Sequence, residues 1–479
     1  MWPELVRDIV LPGHEALMGR PTLQIVKGLA ATAFAHDAIT RYQARQLEAL
    51  VDHAADACVY WHDRLSRGAH VARDVPDVAT ASKVSTSDLP ILTRAEIRRH
   101  RESMRSQRPP GKLIYHSSSG TTDDNLIFYL DRERQAWDRA LRIHALTRLG
   151  LDIGEKQLHF MPQYGAGGRL GWMKDGLRTV RDRLTRDIAF DPRPMTPERL
   201  SAGLQALRNY RPALIVGYPS VLFALARHQL EKGEARGLPL PRYILSTGEV
   251  LYAFQRRAIE SAFGARVIEE YGSQELGVIA SENDAGDWLV NWQHVIVEVL
   301  RHGRPARSGE TGEVVVTNLH SRAMPLIRYA TGDVVTAPSP ARDAAMPITM
   351  LPRIEGRTSD VLITTDGHPF SNRDMVDLLV HETGAYEFSI HQTAPDRVLC
   401  MTVHDRGWTG QEAKVAALLR SVLGRTLRVD WKIGRALCAL KSGKRRYVCS
   451  STAHAMLAHD RESGMFLSRA WPQRVLDAA

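Results

Sequence analysis

Tyr115 to Asp124 reads YHSSSGTTDD, and hydroxyls packed around a glycine make a donor-rich loop suited to holding a triphosphate. Glycine lets backbone N–H groups approach an anion, while Ser117, Ser118, Ser119, Thr121 and Thr122 add hydroxyl donors or reach a bound Mg²⁺. Later segments carry complementary chemistry. Tyr271-Gly272-Ser273-Gln274-Glu275 follows the apolar run RVIEEYG at 266–272, which puts Glu275 at the carboxyl end of a strand. Ligands of α/β proteins bind at such ends, and a carboxylate there suits Mg²⁺. Ser246-Thr247-Gly248-Glu249 ends the preceding apolar run in the same way, so two strand ends bring a glycine and an acid to one crevice. Asp333 closes PLIRYATGD, 325–333, where an acid after a glycine turn suits the two hydroxyls of a ribose. Gly356-Arg357-Thr358-Ser359-Asp360 follows, and Ser442-Gly443-Lys444-Arg445-Arg446 comes late, where a flexible glycine lets Lys444 carry a cation to phosphate. Each piece alone is more often a solvated turn or a surface residue.

These residues need rigid elements to hold them. Short apolar runs at 158–161, 214–218, 243–248 and 266–272 alternate with helical patterns at Pro219 to Lys232 and Ala253 to Phe263, which predicts a sheet flanked by helices. Residues 36–66 have helical apolar spacing, and Thr93 with Glu96 predicts a capping box for a helix beginning near Arg94. After Asp287 the texture changes to VIVEVL (295–300) and GEVVVTNL (312–319), strands joined by Gly/Pro turns, as in a barrel-like subdomain. The Pro-rich stretch Ala337 to Pro352 puts a boundary near Gly356. The fold class is thus α/β. A large N-terminal domain, 1–355, holds helix-flanked sheets plus the barrel-like subdomain, and a small α+β domain, 356–479, follows.

The 479 residues, 44% hydrophobic and 24% charged, read as a soluble globular protein. Four scattered cysteines form neither a disulfide framework nor the close pairs of zinc sites, and a reducing cytoplasm fits them. The N-terminus lacks a signal peptide's pattern, and no apolar run reaches the roughly 20 residues of a membrane span. A net charge of +9 is spread over short clusters rather than the dense stripe of a nucleic-acid binder. Gly13 to Arg20 lacks the P-loop lysine, His14-Glu15 and His381-Glu382 lack a second histidine, and Gly217 to Val221 lacks a nucleophile elbow's closing glycine.

Taken in order, SSGTT, GE, YGSQE, RYATGD, GR with its downstream aspartate, and GK form a series that resembles the adenylate-forming superfamily of acyl- and aryl-CoA ligases, nonribosomal-peptide adenylation domains and luciferases. VYWHDRL (59–65), SDLPILTRAEI (87–97), RNYRPALIVGYPS (208–220) and AMPLIRYATGD (323–333) are similar to its phenylacetate-CoA ligase branch, which includes CapK-type capsule-biosynthesis proteins. The resemblance implies a two-step reaction with ATP and Mg²⁺: a carboxylic acid is activated as its acyl-adenylate with release of pyrophosphate, then transferred to CoA, a carrier-protein thiol or an amine. It implies that Ser118, Ser119, Gly120, Thr121 and Thr122 cradle the β- and γ-phosphates, with Thr121 a second contact to Mg²⁺. Gly248 and Glu249 would line the adenine side, and Tyr271, next to Gly272, would stack near the base. Glu275 would ligate Mg²⁺, Asp333 hold the ribose, Arg357 touch ribose or phosphate, and Lys444 bridge carboxylate and α-phosphate. Because Lys444 lies on the small domain, that domain would rotate between half-reactions.

The chain departs from the pattern at three places. Asp123 and Asp124 stand where relatives carry glycine and then lysine or proline; each carboxylate beside a triphosphate costs on the order of 1 kcal/mol unless Mg²⁺ intervenes. Ser359 replaces the usual hinge aspartate and leaves Asp360, and the cysteines some relatives use for a metal are missing from 337–356, so no zinc is expected. These departures motivate a rival reading, a degenerate homologue that binds a nucleotide or a partner without catalysis. For the acid itself, FMPQYG (160–165) and Trp172 occupy the substrate-contacting stretch. Tyr164, Gly165 and Trp172 would pack an aromatic or hydrophobic acid or simply fill core, and His294 would be a pocket acid/base or a structural histidine.

Overall fold

The computed structural model describes residues 2–31, 36–67, 84–117, 126–162, 171–232, 240–301, 303–337, 347–352, 354–403, 407–434 and 446–451. A central eight-stranded sheet runs, in spatial order, Met350–Leu351, Trp288–Val290, Gly277–Glu282, Arg266–Ser273, Tyr243–Thr247, Leu214–Gly217, Gln157–Phe160 and Asp187–Phe190. The last five are parallel, and the others join antiparallel. Leu214–Gly217 is buried at every residue, as the middle of a helix-covered parallel sheet requires. The helices Pro197–Tyr210, Pro219–Lys232 and Ala253–Phe263 supply a core around Phe160, Leu222, Ile244 and Phe263.

Beside it, an antiparallel sheet in the order Arg304–Pro305, Val295–Arg301, Thr311–Asn318, Tyr329–Thr336 and Gly356–Arg357 carries the RYATGD strand. Its two edge strands, each two residues long, are not paired with one another, so among the described residues this is an open sheet, which corrects the expected barrel. Residues 36–66 are helical as expected and divide into His36–Ala57 and Val59–Arg67 at Cys58. That break turns Trp61 into the core, where its indole donates to Pro325 O at 3.1 Å. Gly356–Arg357 belongs to the antiparallel sheet, so the chain leaves that sheet after Arg357. From Leu362 on, a mixed sheet of Arg428–Gly434, Arg397–Val403, Phe388–Ala394 and Val448–Ser450 packs with the helices Asn372–Thr383 and Glu412–Leu423. Among the described residues no helix is long and apolar enough to cross a membrane.

Local capping fixes the helices that face the site. Thr93 and Glu96 form the expected box, Thr93 N donating to Glu96 Oε2 at 2.8 Å and Glu96 N to Thr93 Oγ1 at 3.2 Å. Asp131, fully buried, caps Arg132–Arg148 by accepting Arg134 N at 2.8 Å, while its other oxygen accepts Ala323 N at 3.0 Å. One carboxylate therefore ties this helix to the segment leading into the Tyr329–Thr336 strand. Asp131→Ala removes a cap and leaves a buried N–H unpaired, an expected loss of about 2–4 kcal/mol in urea unfolding; a loss under about 0.5 kcal/mol would show that the tie carries no stability.

Candidate functional site

The ends of Tyr243–Thr247 and Arg266–Ser273 open into one cavity of about 850 Å³, within the range of small-molecule sites. Gly248, Glu249, Tyr271, Gly272, Glu275, Asp333 and Arg357 all line it. Seven residues from four sequence segments thus converge on one space.

Asp333 is the most constrained of them. Tyr271 Oη donates to its Oδ2 at 2.7 Å, and Arg357 Nε donates to Oδ1 at 3.2 Å. Burial, reinforced by the Asp333 charge, holds the Tyr271 phenol well above its usual range. The Asp333 charge also raises Arg357, so this cation stays protonated throughout. Carboxylate, phenol and guanidinium therefore form a fixed triad that presents acceptors and a positive charge to the cavity.

Glu275 is buried in the turn after Arg266–Ser273. Tyr329 Oη donates to its Oε1 at 3.4 Å, and Arg94 Nη1 stands 3.7 Å from the same oxygen. Its Oε2 takes no hydrogen bond among the described residues. One buried carboxylate with an unspent oxygen is what a Mg²⁺ held mainly by phosphate oxygens and water asks of a protein. Arg94 and Tyr329 were not expected as partners; the capping box and the RYATGD run marked their positions without indicating that they meet Glu275.

Glu249 accepts Ser220 N at 3.0 Å at the start of Pro219–Lys232, so its charge sits at that helix's positive end. Gly248, at φ +79°, makes the turn that only glycine takes readily. Gly272 is required by contact: a Cβ there would stand 2.2 Å from Gly277 O.

His294 is placed elsewhere. It is fully buried behind the Glu275 turn and does not line the cavity, with Nε2 3.2 Å from Leu276 O and 3.0 Å from Asn318 Nδ2. Its ring and that of His320 stack with Trp137, whose centroid lies 3.9 Å from His320. Of the two readings of His294, pocket acid/base and structural histidine, its position fits the second: the ring buttresses the turn. Ser118, Ser119, Gly120, Thr121, Thr122, Asp123, Asp124, Tyr164, Gly165 and Lys444 lie outside the described residues, as does the Trp172 side chain on the helix Gly171–Thr185. The first loop is bounded by two antiparallel strands that pair Ser117 with Ile127. Two residues beyond Lys444, Arg446 Nε donates to Asp360 Oδ1 at 2.7 Å, and both line the cavity.

Sequence reasoning missed the opposite wall. The helix Arg132–Arg148 faces the cavity with Gln135, Asp138, Arg139, Arg142 and Leu146, and Arg20, between two N-terminal helices, reaches it too. The i, i+4, i+7 spacing of Gln135, Arg139 and Arg142 was the available signal, but on a charged helix it reads as a solvated face. Arg142 Nε donates to Glu270 Oε2 at 3.0 Å across the cavity wall.

No protein-family model matches the chain. It is 26% identical over 338 residues to a phenylacetate-coenzyme A ligase of Pseudomonas putida, covering 68% of this chain and 72% of that one. It is 25% identical over 252 residues to protein CapK of Staphylococcus aureus, and 29% over 259 residues to a phenylacetate-coenzyme A ligase of Escherichia coli (strain K12). Those two matches span 52% of this chain and 53% and 56% of the relatives, about half the length of each. Among solved structures, 2-hydroxyisobutyryl-CoA ligase in complex with 2-HIB-AMP aligns with a TM-score of 0.63 at 17% identity, over 88% of this chain and 91% of that one. ATP-bound MatB from Rhodopseudomonas palustris aligns with a TM-score of 0.50 at 17% identity, over 73% and 68%. The mixed α/β fold is shared with these structures.

The buried histidines make a pH prediction. Burial lowers His320 from 6.5 to about 4 and puts His294 well below 6.5. As pH falls, the unfolded chain takes up these protons first, so stability declines from about pH 6.5 to about 4, by at most about 1.4 kcal/mol per pH unit per histidine. Urea unfolding across this window should show the decline, with a shallower slope in His320→Asn; equal slopes would refute the assignment.

Proposed function

We propose that this homologue of the phenylacetate-CoA ligases, a chain of the adenylate-forming superfamily, is an ATP-dependent carboxylate ligase that makes an acyl-adenylate and passes the acyl group to a thiol. The observation that carries the reading is the single cavity shared by Asp333, fixed by Tyr271 and Arg357, and Glu275 with its unspent oxygen. Names of the sequence relatives favour CoA as the acceptor; a carrier-protein thiol or an amine is the second possibility.

In this reading Asp333 keeps lone pairs beyond those used by Tyr271 and Arg357 and receives the ribose hydroxyls. Arg357 lies beside it for ribose or phosphate, and the Tyr271 ring, pinned through its hydroxyl, supports the base against the Gly248-Glu249 turn. Ser118 to Thr122 hold the β- and γ-phosphates. Mg²⁺ would be held by Glu275, with Thr121 as a second contact, and would neutralise phosphate charge. Transfer at the α-phosphate asks mainly for positioning and charge neutralisation, and the chain's own cations meet both needs. Lys444 bridges the substrate carboxylate and the α-phosphate, and the C-terminal domain carrying it turns between the two half-reactions.

Pyrophosphate release with hydroxylamine trapping, across a panel of carboxylic acids, tests the reading. Lys444→Ala should lower the rate of adenylate formation about 10²–10³-fold while ATP still binds. Asp333→Ala should raise the KM for ATP roughly 10–100-fold, the loss of hydrogen bonds to a charged group. ATP binding by calorimetry, with no pyrophosphate release from any acid in the panel, would replace the ligase with a non-catalytic nucleotide-binding homologue.

A further inference from the structure

One stretch of the cavity wall sets charged groups among its apolar side chains. Arg20 and Arg139 stand there together with Gln135. Arg20 donates from Nη2 to Gln135 Oε1 at 3.0 Å, while its buried Nε has no hydrogen-bond partner. Arg139 makes no hydrogen bond among the described residues. Both guanidiniums look to one carboxylate, Glu15, from 3.8 Å and 3.6 Å, beyond hydrogen-bond reach. Glu15 is already engaged, its Oε1 by His14 Nδ1 at 2.9 Å and its Oε2 by the Thr22 hydroxyl.

The other acids around this stretch are committed to their own cations. Asp138 pairs with the fully buried Arg134, Asp187 Oδ1 lies 2.7 Å from His159 Nε2, and Glu270 is held by Arg142, while Asp152 is solvent-exposed. What remains is a pair of cations with unspent donors, lining the same cavity as Asp333 and Glu275. Burial depresses the Arg20 pKa, Glu15 opposes this, and Arg139, Arg181 and Arg132 depress it further, as expected where positive charges outnumber their counter-ions. A guanidinium left in this condition is completed by a bidentate oxyanion.

We propose that the acid activated by this protein carries a second anionic group, a carboxylate or a phosphate, and that Arg139 and Arg20 receive it where they line the cavity. This rests on the ligase reading of the cavity and adds the class of substrate to it. The first acidic group reacts; the second is held by two arginines, one on the Arg132–Arg148 helix and one on the N-terminal helical segment. An apolar aryl or alkyl acid would leave the two cations sharing Glu15 alone, at 3.8 Å and 3.6 Å, with their hydrogen-bond donors unused.

Matched probes test it: hexanoate against adipate, and phenylacetate against 4-carboxyphenylacetate, by pyrophosphate release and by calorimetric binding, with inorganic phosphate as a further binding probe. The dianionic member of each pair should be favoured about 10-fold or more. Arg139→Gln and Arg20→Gln should raise its KM or Kd roughly 10–100-fold and leave the KM for ATP within about twofold, with Arg139→Lys intermediate. Thermal melting confirms that the variants fold. Preference for the mono-acids, or equal binding of every probe by native protein and variants, overturns the proposal. If ATP fails to bind, the ligase reading falls by that measurement alone, and the probe-binding comparison still reads the arginines.

Discussion

Asp333 is the point at which two sheets and the chain's exit towards the C-terminal elements are held together. Tyr271 reaches it from the central sheet, Arg357 from the strand at the edge of the antiparallel sheet, and Asp333 itself lies on the strand paired with that edge. A half-buried carboxylate gains from compensating donors, and here it finds a phenol and a guanidinium. Because these two donors come from different sheets, satisfying one charge fixes the relative position of both. Glu275, two residues beyond the strand that carries Tyr271, is placed by the same constraint. Its own contacts to Tyr329 and Arg94 repeat the arrangement one strand end away.

The C-terminal elements are docked by a smaller set of contacts. Tyr252 is buried in their core, its ring 5.2 Å from Tyr447, and its hydroxyl donates to Asn372 Oδ1 at 3.4 Å. Tyr386 reaches back to Phe223 at 5.3 Å and lies under Arg227 at 4.4 Å. Arg373 donates to Leu251 O at 2.6 Å, and Arg446 to Asp360. These are aromatic edges and charge-assisted hydrogen bonds, joined by apolar packing of Val250 and Phe254 on the C-terminal core.

Ion pairs recur in the cavity wall beside apolar residues such as Leu146, Leu151 and Met161. Every carboxylate described in its walls has a cation or a backbone N–H nearby, save the solvent-exposed Asp152. A lining so dense in ion pairs fixes geometry at a cost in desolvation, a cost that apolar packing would avoid. Polar specificity is the return: a ligand entering such a cavity must match its donors and acceptors group by group.

The sequence by itself determined four of the eight strands of the central sheet and two of its helices, the Thr93–Glu96 cap, and which residues stand at the strand ends: Gly248, Glu249, Tyr271, Glu275 and Asp333. All follow from local order, since a strand's carboxyl end is fixed by the few residues that follow it and a cap by residues three apart. Tertiary structure alone decided the rest. It opened the antiparallel sheet that turn-rich strands had suggested as a barrel, divided the early helical stretch at Cys58 to bury Trp61, and placed His294 behind the Glu275 turn. It also turned Arg139 and Arg142 from an apparently solvated helix face into a cavity wall. These outcomes rest on contacts between distant residues, 128 positions apart for Arg142 and Glu270 and 115 for Arg20 and Gln135. Periodicity says which side of a helix is polar; only the packing of remote elements decides whether that side meets water or a ligand.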